Sequence, residues 1–234
     1  MRCSVLDMNA PPHAVLTGDL IGSTDLTAEE IGAARESLFA AITLFDSTEG
    51  ELVVGRPEFF RGDAWQVLLH TPAKALRLAL FLRARLRAET TSDTRISIGI
   101  GNVSEINPHR ISLSRGEAFM LSGHALDEMT GYFDLTAALP DRAGPLARWL
   151  PVVMHLCSGL ARNWTKRQAE IIWHALMSNY ATHGSIAEQL VPPIRKQTVT
   201  ESLRGANWRA LQEPIMEFEQ TDWLEVLTSP ETGK

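Results

Sequence analysis

"AVLTGDLIGSTDLTAEE", residues 14–30, is the stretch from which the fold can be read. An apolar run breaks at Gly18-Asp19, a turn of small residues follows, and a helix begins. "HAVLTGDL" (13–20) reads as a short strand. Thr27 and Glu30 have the spacing of a capping box, in which side chain and backbone satisfy each other's donors at a helix start. Beyond it, Ile31, Leu38, Ile42 and Phe45 recur at helical spacing.

Working outward, "ELVVGRPEFFRGDAWQVLLH" reads as two strands folded about Arg61-Gly62-Asp63, a hairpin. "PAKALRLALFLRARLRAE" (72–89) is an amphipathic helix with Pro72 in its first turn and Leu76, Leu80 and Phe81 on its apolar face. "TRISIGIGNV" (94–103) alternates as a strand should, with Ile96, Ile98 and Ile100 on one side. A loop, a helix over 116–129 and a last strand near 132–138 complete the series. The order β-α-β-β-α-β plus a further helix and strand implies an α+β, ferredoxin-like (split βαβ) domain: an antiparallel sheet with helices on one face. "ALPDRAGP" (138–145) carries two prolines and a glycine and reads as the domain boundary. The division is then 13–140 for the first domain, 145–163 for a connector helix and 164–221 for an all-helical domain.

The 234 residues allow one large or two small domains, and 44% hydrophobic residues with 21% charged suit a soluble globular chain. The apolar runs fall short of the ~20 residues a membrane span requires. "MRCSVLDMNAPPH" lacks the apolar core of a signal peptide. Cys3 and Cys157 do not make a disulfide framework, so a cytoplasmic location is expected. No His-x₃-His or Cys-x₂-Cys spacing points to zinc. No P-loop, dinucleotide fingerprint or Gly-x-Ser-x-Gly is present. The net charge of −6 is uneven. Residues 162–209 hold seven Lys/Arg against three acids, and 210–234 one Lys against six acids. A basic segment between acidic ones points to a local anionic partner.

Asp19 ends the first strand and Asp63 sits at the hairpin tip, which this topology makes neighbours. Two adjacent carboxylates can hold one or two Mg²⁺ or other divalent ions, which in turn bind phosphates. The Ile21–Thr24 turn, leading into a helix, offers backbone N–H groups to a phosphate.

"LTGDLIGST", "FFRGDAWQVLL", "RISIGIGNV" and "RGEAFMLSGHALDEM" resemble the successive motifs of the class III nucleotidyl cyclase catalytic (palm) domain, and more closely the cyclase-related SatD family. The resemblance spans roughly residues 13–138. It implies that Asp19 and Asp63 bind metal with the Leu20 carbonyl. It also implies a site for a nucleotide or cyclic nucleotide at Ile21, Gly22, Ser23, Thr24, Phe59, Arg61, Met120 and His124, and a cleft at a homodimer interface. The chain departs from the cyclases where they carry a base-selecting Lys (here Phe59), a base-contacting residue (Leu113), a ribose-orienting Asn (Met120) and a transition-state Arg (His124). One such donor is worth roughly 10²–10³ in rate, so the resemblance implies nucleotide binding more than cyclisation.

In the C-terminal region, "TKRQAEIIWHALMSN" (165–179), "GSIAEQL" (184–190, with Ser185 as cap) and "VPPIRKQTVTESLRGANWRAL" are similar to a helix-turn-helix. Val199, Leu203 and Ala206 pack the third helix. Gln197, Thr198, Thr200, Glu201 and Arg204 are left to read base edges, and Arg195 and Lys196 to contact phosphates. The interval from Leu190 to Val199 is nine residues, two longer than usual. "PLARWLPVVMHLCSGLARNW" (145–164) is apolar on most sides, as a connector packed between domains or against a second subunit would be. The combined expectation is a regulator that senses a nucleotide and binds DNA as a homodimer, away from membranes. Its rivals are a divergent metal-dependent cyclase or nucleotidyltransferase, and a sensor whose helices bind a protein.

Overall fold

The computed structural model describes residues 10–228 apart from Arg61, Asn179 and Tyr180. The expectations about Cys3, Arg61 and most of the N-terminal segment therefore lie outside the described residues.

The first strand, β1 (His13–Leu20), runs without a break through Gly18-Asp19, and the turn comes at Gly22, whose φ is +66°. Gly18 has a packing reason: a Cβ there would lie 2.5 Å from the Trp65 indole and from the Arg95 carbonyl oxygen. The capping box at Thr27 and Glu30 is formed and opens α1 (Ala28–Glu49). β2 (Val53–Phe60) and β3 (Ala64–Leu69) make the hairpin, with Gly62 at φ +93° in its turn. α2 (Ala75–Glu89), β4 (Thr94–Gly101), a short ribbon of β5 (Val103–Glu105) with β6 (Arg115–Gly116), α3 (Glu117–Asp127) and β7 (Leu135–Ala138) follow.

The main sheet has the order β2-β3-β1-β4-β7. The four strands of the split βαβ unit are antiparallel, as expected, while β7 adds parallel to β4 and makes the sheet mixed. A parallel neighbour needs a crossover, and α3 supplies it. That crossover corrects the expectation of helices on one face only. Leu16, Leu20, Trp65, Val67, Ile96 and Ile98 face α1 and α2, while Val15, Leu68, Ile111 and Ala118 form a separate cluster on the α3 side. Contact there is close: a Cβ on Gly99 would lie 2.2 Å from the Ala118 carbonyl oxygen, and Thr17 Oγ1 meets Ser122 Oγ at 2.8 Å.

The second half is helical. A 3₁₀ turn (Asp141–Ala143) occupies the proline-rich stretch and leads into α4 (Pro145–Arg162) beside β7. α5 (Lys166–Leu176), α6 (His183–Gln189), α7 (Lys196–Gly205), α8 (Trp208–Gln220) and α9 (Trp223–Thr228) complete the chain. α5 starts at a Thr165 capping box. α6 is capped three residues earlier than expected, by Thr182 rather than Ser185; Ser185 is the partner in the box.

The spacing in α2 predicts one apolar face, yet the helix is buried on almost every side, including Arg77 and Arg83. α1 and the sheet take one side, and α5 and α8 take the other. Trp173 of α5 meets Phe81 edge-on at 6.2 Å between centroids, and the Arg85 guanidinium lies 4.5 Å above the Trp173 ring. A single apolar core therefore runs from Ala14 to Leu227 through both halves. α4 leaves Trp149, Val152 and Leu156 exposed at i, i+3 and i+7. Among the described residues no helix is long and apolar enough to cross a membrane.

Candidate functional site

Register sets the geometry around Asp19. Asp19 pairs with Ala64 on one side and with Arg95 on the other, so all three side chains project from the α3 face of the sheet. Arg95 forks onto the Asp19 carboxylate. Its Nε donates to Oδ1 at 2.9 Å, its Nη2 donates to Oδ2, and its Nη1 reaches the Met129 carbonyl at 3.3 Å. The hydrogen bond to Asp19 raises the Arg95 pKa, with Asp134 and Asp63 adding attraction. Asp63 accepts from Ser23 Oγ, which ties the hairpin tip to the turn after β1. The Asp19 carbonyl accepts from Thr94 Oγ1 at 2.7 Å, and Thr94 Oγ1 accepts from the Trp65 indole at 2.9 Å.

The structure thus brings together Asp19, Asp63 and the Ile21–Ser23 turn. Leu20 is buried, and the Ile21 N–H is taken by the Asp93 carbonyl at 2.9 Å. Gly22 and Thr24 are exposed. Phe59 stands elsewhere. It is the register partner of Trp65, so it faces α1, meets the Phe39 ring at a tilt with 5.2 Å between centroids and lies under the Arg35 guanidinium. Asp19 is on the opposite face. α3 turns Ala118, Ser122 and Leu126 inward and leaves Met120 and His124 exposed on the side away from the sheet. Met120 instead borders a cavity of about 460 Å³ lined also by Glu117, Arg142 and Leu227.

A divalent ion at Asp19 would meet a carboxylate whose two oxygens both face a guanidinium. Among the described residues no group of three or more His, Cys, Asp or Glu side chains is arranged to hold a metal. The donor set therefore does not fit a divalent ion with Arg95 in place.

Sequence reading missed a buried ionic network behind this site. Arg83, with no exposed surface, donates to Asp93 at 3.1 and 2.6 Å and to Asp134 at 3.0 Å. Arg162 from α4 takes Asp134 from the other side at 2.9 and 2.7 Å, and Arg87 links Asp93 to the Trp164 carbonyl. Arg95 itself was legible: in "TRISIGI" it alternates with the core isoleucines, so it shares the face of Asp19.

The helical half carries the second cluster. Val199 and Leu203 are buried and seat α7 against α5 and α6. Arg195, Lys196, Gln197, Thr198, Glu201 and Arg204 are exposed. Gln197 Nε2 donates to Glu201 at 3.0 Å. Thr200 departs from the expected outward set: it is half-buried, bonded to the His183 ring at 2.8 Å and to the Lys196 carbonyl. Its position one residue after Val199 turns it toward α6. The Cys157 thiol is buried in α4, and burial pushes its pKa up to about 11, so it is a packing residue with little thiolate.

Fold and side chains define an α+β protein: a split βαβ sheet extended by one parallel strand and fused through a shared core to a helical bundle. No family model matches the chain, and no curated protein matches it. Among solved structures it is similar to the guanylyl cyclase Cya2, at 19% identity and a TM-score of 0.38, over 54% of this chain and 74% of that one.

Proposed function

We propose that this chain is a DNA-binding regulator whose α7 enters the major groove. The observation that carries the reading is the division of α7. Val199 and Leu203 anchor it, while Lys196, Gln197, Thr198, Glu201 and Arg204 share its solvent side behind Arg195. A recognition helix needs a fixed inner face and an outer face of base-reading and phosphate-contacting side chains. The excess of basic residues over 162–209 adds the electrostatic attraction that dominates DNA affinity. In this reading the protein acts as a homodimer on a two-fold operator. A nucleotide or cyclic nucleotide at the sheet half is the effector; that assignment rests on the four motifs resembling the cyclase domain. Such an effector would act through α2, which touches both halves, by binding unequally to two placements of α7.

The test is selection of bound fragments from genomic DNA, followed by footprinting with and without added nucleotides. Sequence-selective, salt-sensitive protection that weakens in Arg204→Ala supports the reading. Absence of selective binding under every condition overturns it.

A further inference from the structure

The acidic pair Asp19 and Asp63 has the residue types of a divalent-ion site, but a cation of the chain already faces it. Asp19 and Arg95 are cross-strand partners of β1 and β4, so backbone register, not a chance rotamer, sets them side by side. The guanidinium fork takes both oxygens of Asp19, the bidentate geometry for which arginine is suited. Its remaining nitrogen is fixed by the Met129 carbonyl beyond α3.

Charge balance leads to the same conclusion. Among the described residues, four aspartates, Asp19, Asp63, Asp93 and Asp134, and four arginines, Arg83, Arg87, Arg95 and Arg162, interact around this end of the sheet. The charges of these eight described residues cancel. Adding a doubly charged ion at Asp19 would expel the Arg95 fork and leave that guanidinium beside the ion. Mg²⁺ also holds its waters tightly and needs carboxylate oxygens that are free to accept it. Asp63, with one oxygen bound to Ser23, offers a single carboxylate without Asp19.

We propose that Arg95 is the resident cation of this site: its guanidinium takes the coordination Asp19 would give a metal, and the Asp19–Asp63 end of the sheet binds no divalent ion. The pair then serves as a brace. It locks β1 to β4 through Arg95, and the turn after β1 to the hairpin through Ser23. This inference is independent of DNA binding, and either can fail without the other.

The experiment is a titration of the full chain with Mn²⁺, reading bound against free ion by electron paramagnetic resonance. The proteins are the wild type, Asp63→Asn, Arg95→Gln and the double variant Asp19→Asn/Arg95→Gln, each checked by circular dichroism. Wild type and Asp63→Asn should bind Mn²⁺ equally weakly. Arg95→Gln should gain a site at least about tenfold tighter, which the double variant loses. Arg95→Lys, which leaves one Asp19 oxygen free, should gain a weaker site and stands in for Arg95→Gln should that variant not fold. A wild-type site that Asp63→Asn abolishes overturns the proposal. So does a folded Arg95→Gln, or Arg95→Lys in its place, that binds no better than wild type.

Discussion

Arg83 of α2 and Asp134, just before β7, meet at 3.0 Å across 51 residues of chain, and neither is more than 5% exposed. A second arginine, Arg162 from α4, holds the same carboxylate, so Asp134 is where the sheet, α2 and α4 are joined. Truncation of one partner in a buried ion pair strands the other charge, at a cost of about 3–5 kcal/mol. Asp134→Ala should lose that much stability in urea unfolding. Arg162 is 41% exposed, and Arg162→Ala leaves Asp134 with Arg83, so its loss should stay near about 1 kcal/mol.

Asp93 predicts how stability depends on acid. Burial alone would raise its pKa, but the Arg83 and Arg87 guanidiniums outweigh burial and hold it below the ordinary aspartate value. A depressed folded-state pKa stabilises the fold above the unfolded value of about 3.9, and that contribution is lost as pH falls through the folded value. The difference in urea midpoint between the wild type and Asp93→Asn should therefore hold steady from neutral pH down to about pH 4 and then narrow. Asp93→Asn should start lower at neutral pH and fall less steeply below it.

Two glycines should respond to alanine with opposite signs. A Cβ on Gly99 runs into the α3 backbone at Ala118 and Ser122, so Gly99→Ala should cost about 1–3 kcal/mol. Gly123 lies within α3 with nothing inside 4 Å of its would-be Cβ, and Gly123→Ala should stabilise by about 0.5–1 kcal/mol. Thermal unfolding measured on both variants under one buffer checks the contrast.

On the proposed DNA target, Lys196→Ala and Arg204→Ala should fail differently. Loss of a phosphate contact weakens all sequences alike and lowers the salt slope of log affinity by about 1. Loss of a base contact costs about 1–3 kcal/mol and relaxes one position of the site. In the proposed reading Lys196 belongs to the first kind and Arg204 to the second, and fluorescence anisotropy at several salt concentrations separates them.

Alternation made the main-sheet strands legible in the sequence, and a capping box the start of α1. The eight residues from His13 coincide with β1, and the Thr27 cap is where spacing puts it. Periodicity could not tell that α2 is covered twice, since a leucine on a second apolar face looks like any other until α5 and α8 arrive. It also left out α9, which lies beyond the region read as helical. Asp19 was visible as a candidate, but a single strand's pattern does not say which residue of a neighbouring strand lies beside it. Strand alternation places Arg95 on the right face, but only the register of β1 against β4 makes it the neighbour. Phe59 was named from the resemblance alone, by its position four residues before Asp63, and such a position does not say which side of the sheet the ring takes; its register partner Trp65 sets it on the α1 face.

The double covering of α2 has a consequence for how the molecule can be handled. A fragment ending near Pro145 would expose the leucines and Phe81 that α5 covers, together with the Arg83 network that Arg162 completes. Such a piece offers water a wide apolar wall and would cluster with its own kind. Conversely, the helices alone would lose the leucine-rich floor beneath Ile171, Ile172 and Trp173. The two halves share one core, so the chain should melt in a single transition rather than as two modules on a string.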